Sequence, residues 1–430
     1  MRRLLCALVL LFLLPLGAFA ADAPTGDAAQ KKAVPQKKAG ASQKKAAKKE
    51  RAEKPQDPAS VFASGGADFP IRSPIDAAVI KSLSSRGLSA AAPASDAVLL
   101  RRAYLDLTGT IPTPEAAAAY LADKSPDKYE KLVDFLLKSD DFNRYWPMRI
   151  ADVLRVKSEF PINLWPNAAQ AYNRYIYKSV SDNAPYDVFV KKMLCASGSN
   201  FRVGEVNFYR AMQSKNASSI AASAALMFMN TRYEKLPEQK RKEFDSFFER
   251  VKYKATKEWK EEIVYDDPAD SAPFSGVFPD GKKFSLPAGT PPRAAFADWL
   301  AAKGNPYFSR AAANRVWAWM FGSPIVSPVD DMFAENPPVN AELLEVLASS
   351  FEDKGFDLRS LIREIALSST YRQSPVPRAN AEKAVEYFGA YPVRQLDAEV
   401  LIDAICKVTG STEIYESTTP EPYTTMPDTS

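Results

Sequence analysis

The stretch Asn305–Gly322, "NPYFSRAAANRVWAWMFG", decides how the chain is read. At 100° per residue, Phe308, Ala312, Val316 and Trp319 fall on one side of a helix and Ala313, Trp317 and Phe321 on the other. Apolar groups therefore surround the axis, and a helix of that kind is buried. Asn314 and Arg315 sit in its middle, with Arg315 among Phe308, Ala312 and Trp319, where a guanidinium needs a partner.

The same conflict recurs in residues 140–156, "DDFNRYWPMRIADVLRV". Phe142, Trp146, Val153 and Val156 share a face that also carries Arg149. Arg149, Asp152 and Arg155 form a row at three-residue spacing that can pair internally, as structural ion pairs. In residues 394–408, "RQLDAEVLIDAICKV", the line Glu399, Asp403, Lys407 crosses an otherwise apolar helix that reads as buried. On a structural reading Asp403 bonds Lys407, and Glu399 meets an arginine from another helix, Arg315 being the candidate. On a chemical reading, two carboxylates on one strip hold one pKa raised, as acid–base pairs do.

Working outward, thirty-three prolines against seventeen glycines predict many short helices begun or ended by proline rather than a large sheet. Thr113-Pro114 and Ser125-Pro126 read as helix starts and Gly109 as a stop. A first helix is read in residues 95–109, "SDAVLLRRAYLDLTG", and periodicity places others near 141–156, 167–182, 186–196, 217–230 and 237–251, then near 292–303, 307–321, 339–354, 357–371 and 394–409. The expected fold is mainly α. An N-terminal helical domain (69–263), helical throughout, is joined to a C-terminal one (292–410) by a Pro-rich connector (264–291). The connector holds a small β-hairpin signalled by Pro279-Asp280-Gly281. Asp266, Asp267, Asp270 and Asp280 do not match the spacing of a calcium loop and read as turn residues, so no metal is expected.

Residues 1–20 carry two arginines, an apolar run and Ala18-Phe19-Ala20, a secretory signal too short to span a bilayer. Residues 21–68 follow as a disordered lysine-rich linker, in which 31–54 hold nine lysines and Arg51 against Glu50 and Glu53, leaving the folded remainder net negative. The expected location is exported, periplasmic or extracellular, with no membrane span after signal cleavage. For such a protein an anionic envelope polymer or a polysaccharide is the matching partner of the basic segment. A solvated spacer is the simplest reading, and without interleaved aromatics nucleic acid is not expected. Export permits a Cys195–Cys406 disulfide, but each cysteine also reads as a buried thiol.

The chain has no histidine, which excludes Ser-His-Asp and Cys-His nucleophiles, histidine zinc sites and CxxCH haem attachment. Neither phosphate-binding glycine motif is present, so no cofactor is expected. The binding candidates are Asn314, Arg315, Trp317, Asp330 and Asp331. The last two lie in the Pro-rich loop 323–338, where function often sits, although paired aspartates also serve as ordinary turn residues. Trp165 and Trp317 are either sugar platforms or core.

"RRAYLDLTGTIPTPEAAAAYLADKSPDKYEKLVDFLLKSDDF", then Trp146 with Asp152 and Arg155, then "NAPYDVFVKKML", resemble the first of two tandem domains of unknown function in exported planctomycete-type proteins. These proteins sometimes carry a cytochrome c-like domain as well. "NPYFSRAAANRVWAWMFG", "PVDDMF", "NPPVNAELLEVLASSFEDKGFDLRSLIREIALSSTYRQS" and "RQLDAEVLIDAI" resemble the second, and the likeness covers about residues 70–410. It implies export and association with envelope or polysaccharide-related proteins, and no settled activity. Arg149 stands where many members have histidine, no haem-bearing segment is present, and the polar tail 411–430 is short for the family, which implies truncation.

The sequence points first to a non-catalytic binding or assembly protein of the cell envelope, with a partner-facing groove near Asn314, Asp330 and Asp331 and with a companion exported protein as a further partner class. The alternative is a polysaccharide hydrolase using Asp330 with Asp331, or Glu399 with Asp403, since glycosidases need two carboxyl groups about 5–10 Å apart. A redox partner of a cytochrome c-like protein ranks last.

Overall fold

Short side chains beside proline set the helix starts. In the computed structural model, which describes residues 62–63, 69–158, 162, 164–378 and 381–413, Ser73 accepts the Asp76 amide ahead of α1 (Pro74–Ser84). Thr113 accepts the Ala116 amide ahead of α3 (Pro114–Ala122). Each satisfies an amide that the first turn leaves without a partner, with proline at N1 where no N–H is needed. Ser125 does not act this way. Its amide and hydroxyl bond Asp123, and α4 (Lys128–Leu137) starts later, after Asp127. Helix α2 (Asp96–Thr108) stops at Gly109, which takes φ +65°, as expected.

The remaining first-half helices are α5 (Asp140–Val153), α6 (Pro166–Ser181), α7 (Tyr186–Cys195), α8 (Ala217–Phe228) and α9 (Glu238–Asp245). The second half has α10 (Pro292–Leu300), α11 (Phe308–Phe321), α12 (Ala341–Asp353), α13 (Leu358–Leu367), α14 (Ala381–Glu386) and α15 (Ala398–Thr409). The fold is mainly α, and no described helix is long and apolar enough to cross a membrane.

The first half is not helical throughout. The helix expected to 251 ends at Asp245, and β2 (Val251–Ala255) pairs antiparallel with β3 (Glu262–Asp266), which also takes β1 (Gly198–Ser199) on its other edge. Lys252 and Lys254 alternate with Val251 and Tyr253, the period of two of a half-buried strand. The expected hairpin is present: β4 (Phe274–Val277) pairs with β5 (Lys283–Leu286), and Gly281 takes φ +92° in the turn. Phe278 stacks on Phe284 at 4.1 Å and on Trp299 at 5.3 Å, which fixes the hairpin to α10.

Helices of the first half pack directly on those of the second: α1 on α12, α4 on α13, α7 on α10 and α8 on α11. A buried polar network joins them. Asp106 of α2 accepts the Tyr371 hydroxyl at 2.6 Å and the Tyr391 hydroxyl at 2.9 Å, and also pairs with Arg394. Arg102 lies 3.5 Å over the Tyr391 ring and donates to the Tyr371 and Gln373 carbonyls. Buried polar groups satisfied this fully hold one arrangement of the core.

Helix α15 departs from the expectation of burial. Only Val400 and Ala404 are buried, while Leu401, Ile405 and Val408 are exposed. Residues 1–20, nearly all of 21–68, and the tail beyond 413 lie outside the described residues.

Candidate functional site: a polar cleft beside α8

Helix α8, "ASSIAASAALMF", buries Ile220, Ala224, Ala225, Met227 and Phe228 and turns Ser219, Ala222, Ser223 and Leu226 toward an open cleft of about 840 Å3. Those four positions follow the i, i+3, i+4, i+7 rule for one helix face, and the small side chains of Ser219, Ala222 and Ser223 leave the space. Met212, Gln213, Ser214, Arg232, Tyr233, Glu234, Asp330 and Arg155 complete the lining.

Arg155 comes from the end of α5. Its φ is +56°, and the Val156 amide reaches back to the Ala151 carbonyl, the helix-ending turn that normally takes glycine. A non-glycine residue there is strained by about 1 kcal/mol or more. Its guanidinium has no hydrogen bond, ion pair or ring contact among the described residues.

Arg232 donates to Asp330 at 3.1 Å, yet its Nε is buried without a hydrogen-bond partner. Arg315 stands behind, donating to the Leu226 carbonyl at 3.1 Å and to the Asn230 side chain. Burial lowers the Arg315 pKa, against the attraction of Tyr186 and Asp330.

The loop that delivers Asp330 is shaped by Asn314. Its Oδ1 accepts the amides of Ile325 at 2.8 Å and Val326 at 2.9 Å, and its Nδ2 donates to the Val326 carbonyl at 3.2 Å. Among side chains of this size only an amide offers both acceptor and donor in this way. Asn230, with φ +48°, donates to the Ala311 carbonyl at 3.0 Å and accepts the Met332 amide at 2.9 Å through its own carbonyl, tying the same loop to the end of α8.

Residues 74–253 match PSCyt2, a protein of unknown function (DUF1549), and residues 292–429 match PSD1, a protein of unknown function (DUF1553). The chain belongs to the planctomycete cytochrome c-associated domain pair. No haem domain is evident in it. No curated protein and no solved structure matches the chain. Within the pair, the PSCyt2 segment supplies Arg155, Arg232 and the α8 face of the cleft, and the PSD1 segment supplies Asp330.

Of the residues singled out from sequence, the cleft brings together only Arg155 and Asp330. Asn314 is fully buried and faces no partner, and Trp317 is core, stacked on Phe321 at 4.0 Å, so neither is a ligand platform. Asp331 is held by Lys235, with both oxygens within 2.7 Å of Nζ. Arg315 does not meet Glu399; amide and carbonyl oxygens solvate it instead. Arg149 pairs with Asp397 at 2.6 Å rather than with Asp152, and Lys407 reaches Thr110 at 3.4 Å rather than Asp403. Partial desolvation pushes the Asp152 and Asp403 carboxyls up, with Glu399 adding to both, although both residues keep contact with solvent.

The aspartates of the connector have other partners: Asp266 pairs with buried Arg293 at 2.7 Å, and Asp280 accepts the Lys282 amide at 3.1 Å. Cys195 and Cys406 are free thiols. Sequence reasoning missed Ser219, Ser223, Arg232 and Tyr233. The four-residue repeat of serine on an alanine-rich helix was the signal for the first two.

Proposed function

We propose that this member of the pair is a non-catalytic binding protein of the exported cell envelope, and that the cleft takes a short stretch of anionic polysaccharide. The observation that carries this is the Arg155 guanidinium, unpaired among the described residues, lining the same cleft as the buried Nε of Arg232, which has no hydrogen-bond partner among them. A guanidinium offers a planar donor fork that suits carboxylate or sulfate, and the Ser214 and Ser219 hydroxyls suit sugar hydroxyls, whereas the Tyr233 hydroxyl is donated to Asp245. Asp330 is occupied by Arg232 and Asp331 by Lys235, which removes support for a general acid–base pair in the loop. In this reading residues 69–263 and 292–410 are two recognition halves joined by 264–291. The signal of residues 1–20 exports them, and the lysines of 31–54 add attraction for the same polyanion.

Titration calorimetry of the purified chain with sulfated, carboxylated and neutral oligosaccharides tests this, with product release followed in the same samples. Binding of the acidic sugars without turnover, weakened about tenfold or more by Arg155→Ala, is expected for loss of one charge-assisted contact. Binding indifferent to Arg155 overturns it.

A second reading, carboxylate-dependent hydrolysis at Glu399 and Asp403, is favoured by the raised Asp403 carboxyl beside Glu399. It requires product release that Glu399→Gln abolishes. A companion exported protein, including a cytochrome c-like redox partner, has the family association alone behind it.

A further inference from the structure

The turn joining β2 to β3, residues 256–261 "TKEWKE", presents Trp259 with 71% of its surface exposed, between exposed Lys257 and Lys260. The turn is braced from within. The Thr256 hydroxyl donates to Glu261 at 2.6 Å and accepts the Glu258 amide at 3.1 Å, the Glu261 amide reaches the Glu258 carbonyl at 3.2 Å, and Ser199 also donates to Glu261. Glu261 is buried, its carboxyl held low by the Ser199 and Thr256 hydroxyls. Its charge is therefore taken up inside the turn, while Lys252 and Lys254 on β2 are exposed.

The nearby exposed carboxylate Glu258 is opposed by Arg202 at 3.8 Å, and Glu249, whose carbonyl accepts from Lys252, lies before β2. The tip is thus net cationic and capped by one large, exposed aromatic ring that is not among the residues packed against the core. A single exposed apolar side chain needs no explanation, but a tryptophan held outward between Lys257 and Lys260, with Lys252 and Lys254 exposed along the adjoining strand, does.

We infer that this tip docks the protein on an anionic lipid surface, Trp259 entering at headgroup depth while Lys252, Lys254, Lys257 and Lys260 meet the lipid phosphates. Tryptophan favours the membrane–water interface because its ring is apolar and its N–H polar, and each nearby lysine adds attraction to anionic headgroups. An acidic saccharide is the other candidate occupant. Sugar stacking requires a free ring face, whereas here Lys260 Nζ lies over the ring, 5.2 Å from its centroid.

The test uses the whole chain with phosphatidylcholine vesicles, with or without phosphatidylglycerol, carrying brominated acyl chains that quench tryptophan on contact. Residues 31–54 also attract anionic vesicles, so flotation alone does not report on the tip. Quenching by the anionic vesicles is expected in the parent chain, preserved in Trp165→Phe and absent in Trp259→Phe. The Lys257→Glu, Lys260→Glu double variant is expected to weaken partitioning roughly tenfold or more. An unchanged melting curve for Trp259→Phe serves as the folding control, since the ring is exposed. The inference is overturned if the parent chain is not quenched, if quenching survives in Trp259→Phe, or if an acidic oligosaccharide perturbs Trp259 while vesicles do not.

Discussion

Asp330 lies 3.1 Å from Arg232, a residue ninety-eight positions earlier in the chain. The contact spans the PSCyt2 and PSD1 segments and leaves Arg155 as the cleft cation with no ion pair among the described residues, although Glu234 also lines the cleft. Removing the Asp330 charge frees a second guanidinium. Asp330→Asn is expected to tighten binding of acidic oligosaccharides in calorimetry. Because the pair is partly exposed, it should change unfolding free energy by no more than about 1 kcal/mol.

Asn314 is expected to matter for stability and only indirectly for binding. Asn314→Ala removes the acceptor of two buried amides, Ile325 and Val326. Stranding two donors should cost about 2–4 kcal/mol in urea unfolding, with the midpoint lowered and the slope unchanged. An unaffected midpoint would show that the loop is held by other contacts.

The carboxylates near α5 and α15 give a pH signature. A folded-state pKa raised above the unfolded value means that the native state holds its proton longer. The penalty is therefore absent below the unfolded value and grows as pH rises through the folded one. Asp152 is in this position. Asp152→Asn should stabilise the fold by a few tenths of a kcal/mol at pH 7, small because the group is solvent-accessible. The gain should vanish below pH ~4, near the ordinary aspartate value. Melting curves across that range decide it, and a gain that grows on acidification reverses the sign argued here.

The two tryptophans first considered as sugar platforms should separate cleanly. Trp317→Ala empties a fully buried site and should cost about 3–5 kcal/mol. Trp165→Ala, at a residue 41% exposed, should cost less than half of that. Comparable losses from the two would contradict the burial described for Trp317.

The local grammar of the chain was legible in part: Thr113 before Pro114, Gly109 after α2, the buried tryptophan helix α11 and the Asp280-Gly281 turn follow from short-range chemistry, whereas Ser125 before Pro126 did not cap a helix. Pairing of charges was not. Periodicity places Arg315 on a buried helix but says nothing of the side chains opposite, and those proved to be Asn230 and the Leu226 carbonyl rather than Glu399. Helix α15 misled for a related reason. Apolar residues around the axis suggest burial, but only the Val400 and Ala404 side is covered. In the cleft, Asp330 could be named from its loop, whereas Arg232 is one cation among many until the fold brings it opposite.

The left-handed backbone of Arg155 sets its two roles against each other. Glycine is the residue that position favours sterically, so Arg155→Gly should relax the α5 terminus and raise the melting temperature slightly while erasing the cation that has no ion pair among the described residues. A substitution that makes the protein sturdier and deprives it of its ligand would identify the arginine as retained for recognition at the expense of durability.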